Sequence, residues 1–130
     1  MKEVLFNPDG GLICARALFP PSSVAVANYE MILRFKSVNA GTTLLTGDNL
    51  NLEDDQVFLP SPVETNDGRR VILETGFRGL DITNQPNYTI TLEIWQDGNL
   101  LGSEEESGQF TEAAQYSLIF IKLVKQEQVI

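Results

Sequence analysis

At 130 residues and 14.4 kDa the chain has the length of one domain, and it carries a net charge of −9 with no histidine and one cysteine. The missing imidazole excludes Ser-His-Asp and Cys-His catalysis, and a single thiol beside it leaves no ligand set for a zinc site. The acidic balance repels phosphate backbones and anionic lipid, so neither nucleic acid nor a membrane is an expected partner, and no cofactor is implied.

Hydrophobic residues make up 42% of the chain and charged ones 21%, which is the composition of an ordinary globular domain with a real core. Cys14 has no partner for an internal disulfide. No stretch has the length of a membrane span, and the first residues lack the apolar run of a secretory signal. A cytoplasmic protein is the expectation, with export of a trimmed chain as the alternative.

Turn signals recur along the whole chain, from Asp9-Gly10-Gly11 through Asn39-Ala40-Gly41 and Asp67-Gly68 to Asp97-Gly98 and Ser107-Gly108. The first candidate strands between them are residues 4–6 and 12–18. In residues 29–36, Tyr29, Met31, Leu33 and Phe35 share one face opposite Glu30, Ile32, Arg34 and Lys36. Shorter candidates follow at 42–46 and 56–59. Residues 70–78 set Val71, Leu73, Thr75 and Phe77 against Arg70, Ile72, Glu74 and Arg78. Residues 88–95 alternate cleanly and run into Asp97-Gly98, a pair that favours a tight hairpin because glycine accepts positive φ. The last candidate, 116–125, is apolar on both faces. Residues 22–27 and 112–115 could form at most a single helical turn each. No linker, repeat or low-complexity stretch divides the chain. The reading is an all-β, single-domain antiparallel β-sandwich over residues 1–130, with seven to nine strands.

Between Gly79 and Leu92 a leucine, a turn and then Tyr88 open an alternating strand. This order resembles the tyrosine corner of immunoglobulin-like sandwiches, and it implies a sandwich of that character without implying a function.

Several residues are candidates for a site. Asp48 to Asp55 offers oxygen ligands but departs from a calcium-loop pattern, because Leu50 and Leu52 fill ligand positions and the required glycine is missing; no metal is expected. Glu104-Glu105-Glu106 continues the strand after the hairpin turn and reads as edge protection. Trp95 falls on the polar face of its strand with Thr89, Thr91 and Glu93, where an exposed indole could stack on a sugar ring; the alternative is cover by the hairpin loop. In the last strand either Tyr116, Leu118, Phe120 and Val124 face the core or Ile119, Ile121 and Leu123 do. Ile119, Ile121 and Leu123 are taken as the protein-contact set, left over once the core is filled. Arg34, Lys36, Arg70 and Arg78 lie on non-core faces, where they pair with Glu30 and Glu74 or cluster into a positive stripe suited to a carboxylate-bearing partner. Asn87-Tyr88-Thr89 fits a glycosylation sequon, a pattern common by chance.

These features predict a non-catalytic binding or assembly module, not an enzyme, that contacts a protein or a second copy of itself. A small carbohydrate-binding domain using Trp95 is the alternative. A weaker one is an acidic mimic of nucleic acid that occupies a basic partner.

Overall fold

In the computed structural model, residues 1–19, 25–35, 41–48 and 56–127 are described, and they form two packed β-sheets. Nine strands occur among them: β1 (Lys2–Phe6), β2 (Ile13–Leu18), β3 (Ala25–Arg34), β4 (Gly41–Asp48), β5 (Gln56–Phe58), β6 (Arg70–Gly79), β7 (Asn87–Gln96), β8 (Asn99–Gln109) and β9 (Ala114–Lys125). One sheet has the order β1-β9-β6-β3-β4 and the other β5-β2-β7-β8. The fold is an all-β sandwich.

Alternation builds the interior. Met31 and Leu33 from β3, Val71 and Leu73 from β6 and Ile121 and Leu123 from β9 meet Ile13, Ile90, Leu92 and Ile94 of the opposing sheet. The expected alternation of residues 29–36 therefore holds through Arg34, with Lys36 outside the described residues. Residues 49–55 of the oxygen-ligand candidate and residues 22–24 of the first helical-turn candidate lie outside them too. Ala25 to Ala27 belong to β3, and of 112–115 the first two residues lie in a bend and Ala114 and Gln115 open β9, with no helical turn.

The hairpin at Asp97-Gly98 joins β7 to β8 directly, with Gln96 opposite Asn99. Asp97 has φ 51° and Gly98 φ 77°, both in the left-handed region that this two-residue turn requires. A register shift follows between Ile94 and Trp95. Gln96 then locks the end of the sandwich. Its Nε2 donates to the carbonyls of Asn7 (2.8 Å) and Gly11 (2.9 Å), and its Oε1 accepts from the Asn7 N–H (2.9 Å). The Asp97 carboxylate accepts from the Gly11 N–H.

Two details differ from the sequence reading. β1 and β9 pair in parallel, because strands so far apart in the chain are not constrained by a hairpin. Tyr88 also makes no tyrosine-corner bond to upstream backbone among the described residues. Its ring stacks with Phe77 (4.8 Å) and Phe110 (5.2 Å), and its hydroxyl lies over Gly108. Burial, with Glu106 nearby, raises the Tyr88 phenol above its ordinary pKa. The sandwich stands without its immunoglobulin-like refinement.

Candidate functional site

The last strand resolves the choice that its sequence left open. Ile119, Ile121 and Leu123 are 3%, 0% and 0% exposed and belong to the interior cluster. They are core residues, which corrects their assignment to a protein contact. Their parity matches Val71 and Leu73 on the adjacent β6, since Val71 pairs with Ile121 and Leu73 with Ile119, so all four point inward. The outward set is Tyr116, Leu118, Phe120, Lys122 and Val124. Tyr116 is 62% exposed and Leu118 40%.

Register extends this set across the five-stranded sheet. Ile32 of β3, Ile72 of β6 and Phe120 of β9 are direct cross-strand partners in one row on the outer face. Ile72 is only 4% exposed yet lies outside the interior cluster. On one side of the row stand Arg34, Arg70 and Lys122, and on the other Glu30, Glu74 and Leu118. Of the four bases expected either to pair with Glu30 and Glu74 or to cluster, Arg34 and Arg70 lie side by side, Arg78 is opposite Val26 and Ala114, and Lys36 lies outside the described residues. Arg34 is opposite Arg70, and Glu30 is opposite Glu74.

Short polar contacts support the acidic side. The Tyr116 hydroxyl donates to Glu74 Oε1 (2.9 Å), and the Thr43 hydroxyl to Glu30 Oε1 (2.7 Å). Donation to Glu74 holds the Tyr116 phenol above its ordinary pKa. At the other end of the basic row, Lys122 pairs with Glu3 of β1 at 3.9 Å. Beyond Glu74, Gly76 leaves a gap in the face. An open trough of about 530 Å³ lies there, bordered by Asn28, Asp48, Arg78 and Ala114.

The four-stranded sheet has its own outer face. Phe58, Cys14, Trp95 and Leu100 form one row across β5, β2, β7 and β8. Phe58 is 60% exposed, Cys14 is buried in the row, and Trp95 is half-buried with its Nε1 donating to Glu93 Oε1 (3.2 Å). The next row is polar: Gln56, Arg16, Glu93 and Ser103. Trp95 thus lies on the outer face, as its strand position predicts, and Phe58 is a neighbour that sequence alone did not single out. Burial lifts the Cys14 thiol above its ordinary pKa, against a smaller opposing pull from Arg16.

β8 is an edge strand, and its three glutamates divide between faces. Glu105 is exposed, while Glu104 and Glu106 turn toward the other sheet, where the Ser117 hydroxyl donates to Glu106. Inward charges on an edge discourage another strand from adding there. Among the described residues no group of three or more acids, cysteines or histidines is arranged to hold a metal, and no helix is long and apolar enough to cross a membrane. No family model, curated protein or solved structure matches the chain.

Proposed function

We propose that the chain is a non-catalytic binding or assembly module that contacts a protein through the outer face of its five-stranded sheet. The observation that carries this reading is the row Ile32–Ile72–Phe120, continued by Leu118, on a face that has no second layer among the described residues. An antiparallel sheet with one face in water normally alternates apolar inside and polar outside. A contiguous apolar row at the centre of the outer face is the anatomy of a contact surface, an apolar centre ringed by charge. The absence of any histidine adds to the case against an enzyme.

Site-directed photocrosslinking tests the reading. A benzophenone side chain in place of Phe120 should form a covalent adduct with one discrete protein, whether a second copy or another chain. The same probe in place of Glu105, exposed on β8, should not. No adduct at 120, or equal labelling at both positions, overturns it.

The row Phe58–Cys14–Trp95 favours a second reading, a neutral glycan laid across the four-stranded sheet. Aromatic rings stack on the CH faces of sugars, and the adjacent polar row could bond their hydroxyls. Trp95 emission should then shift on titration with a soluble polysaccharide and lose that response in Phe58→Ala. An unchanged spectrum at saturating glycan removes this reading.

A further inference from the structure

Like charges stand side by side on the outer face of the five-stranded sheet, where Glu3 of β1 offsets the Lys122 end of the basic row. Arg70 sits between Arg34 and Lys122, and Glu74 faces Glu30, although like charges directly opposite each other destabilise a sheet. The hydroxyls on Glu30 and Glu74 are neutral donors and do not cancel those charges. A surface with an apolar centre and the two signs interchanged would complement this face.

The same face turned over is such a surface. Resting on the reading of this face as a protein contact, we propose that its partner is a second copy of the chain, docked about a two-fold axis that runs along the Ile32–Ile72–Phe120 row. Rotation by half a turn about an axis lying in the interface keeps each strand over its own counterpart and reverses its direction. The apolar row then meets itself. The rows on either side, about 6.6 Å away along the strands, change places. Arg70 comes to face Glu74 of the second copy, and Arg34 comes to face Glu30, each contact occurring twice by symmetry. Two sheets related in this way are aligned face to face, the packing that sheets adopt inside sandwiches.

Three rows across five strands cover on the order of 500 Å² on each copy, from the spacing of residues and strands. A total near 1,000 Å² is at the lower end for specific interfaces, so the dimer is weak and concentration-dependent.

Sedimentation velocity over a concentration series tests the axis, using the wild-type chain, Phe120→Glu, Arg70→Glu, Glu74→Arg and an equimolar mixture of the last two. Each reversal removes a like-charge pair inside the sheet, and Glu74→Arg also gives up the Tyr116 hydroxyl bond, so both should keep a cooperative melt with native circular dichroism. The wild type should dimerise reversibly. Each reversal alone should raise the dissociation constant at least about tenfold, because two like-charge contacts replace two attractive ones. Mixing the two should restore dimerisation, since a chain acidic at both positions then meets one that is basic at both. A dimer lost in Phe120→Glu but indifferent to both reversals overturns the axis and leaves the face reading standing. A dimer indifferent to all three variants overturns both. A wild-type chain that stays monomeric at about millimolar concentration overturns the second copy alone; the photocrosslink at position 120 then decides the face.

Discussion

At the scale of single residues, Gln96 does more than its sequence position announces. It closes a run that alternates cleanly and shares the parity of Ile90, Leu92 and Ile94, but the sequence names no partner for its amide. In the fold it is 4% exposed, and its amide spans the two ends of the turn between β1 and β2. Gln96→Ala should cost about 2 kcal/mol, because it removes three part-buried hydrogen bonds to the backbone of Asn7 and Gly11. Denaturant unfolding checks this, and a cost below about 0.5 kcal/mol would show that water replaces the amide freely. Cys14 is a second case. A thiol whose pKa is raised in the folded state favours folding at neutral pH, and that contribution fades as pH climbs through the alkaline range toward the folded value. Thermal melts should therefore show an alkaline fall in stability that is smaller in Cys14→Ala. An aromatic disulfide reagent should label the native thiol slowly and the unfolded one fast.

At the scale of the strand, periodicity in the sequence is enough to find β3, β6, β7, β9 and the Asp97-Gly98 hairpin. It cannot choose between the two faces of 116–125, because alternation is uninformative where both faces are apolar. Only the neighbours of β9 decide: Val71 and Leu73 point inward, so Ile121 and Ile119 must as well. Cross-strand register is equally invisible in one dimension, so the sequence leaves open whether the bases pair with Glu30 and Glu74 or cluster, and in the fold Arg34 and Arg70 are cross-strand neighbours. The two faces of β9 are separated by a pair of substitutions. Ile121→Glu buries a charge in the interior and should cost more than about 4 kcal/mol, enough to unfold the domain. Phe120→Glu lies on the outer face and should leave a cooperative melt with native circular dichroism. A second steric test lies between the sheets. A Cβ at Gly102 of β8 would come within 2.8 Å of Val4 Cγ2 on β1, so Gly102→Ala should destabilise by about 1–3 kcal/mol through forced separation.

For the molecule as a whole, the negative balance noted at the outset is a property of arrangement as much as of number. Glu105, Glu93 and Asp81 lie on or around the four-stranded sheet and its connections, whereas Arg34, Arg70 and Lys122 are concentrated on one face of the other. A net charge of −9 on a domain of this size repels itself. Adding salt to a dilute, monomeric solution should raise the melting temperature by a few degrees, roughly, between 10 and 150 mM NaCl, as the Debye length shrinks. A falling melting temperature would mean that local ion pairs outweigh the overall repulsion. The class of the fold was legible in the sequence because turn residues and β-branched runs set it locally. The banded face was not, because it exists only once strands distant in the chain lie side by side.

The parallel pairing of β1 with β9 also sets a clock. Lys2 lies opposite Ile121, a separation of 119 residues, so during synthesis β1 must wait for nearly the whole chain. At about 5–20 residues per second that interval is roughly 6–24 s. Throughout it, Val4 and Phe6, both buried in the finished fold, have no β9 to pair beside. The strand is five residues long and carries Lys2 and Glu3, features that limit its pairing with other nascent chains. Ribosome-bound chains halted before residue 114 should be cut readily by protease near β1, whereas chains extended well past Lys125 and clear of the exit tunnel should resist. Equal resistance in both would mean that the remaining strands of this sheet and its partner sheet hold the first strand before the last one arrives.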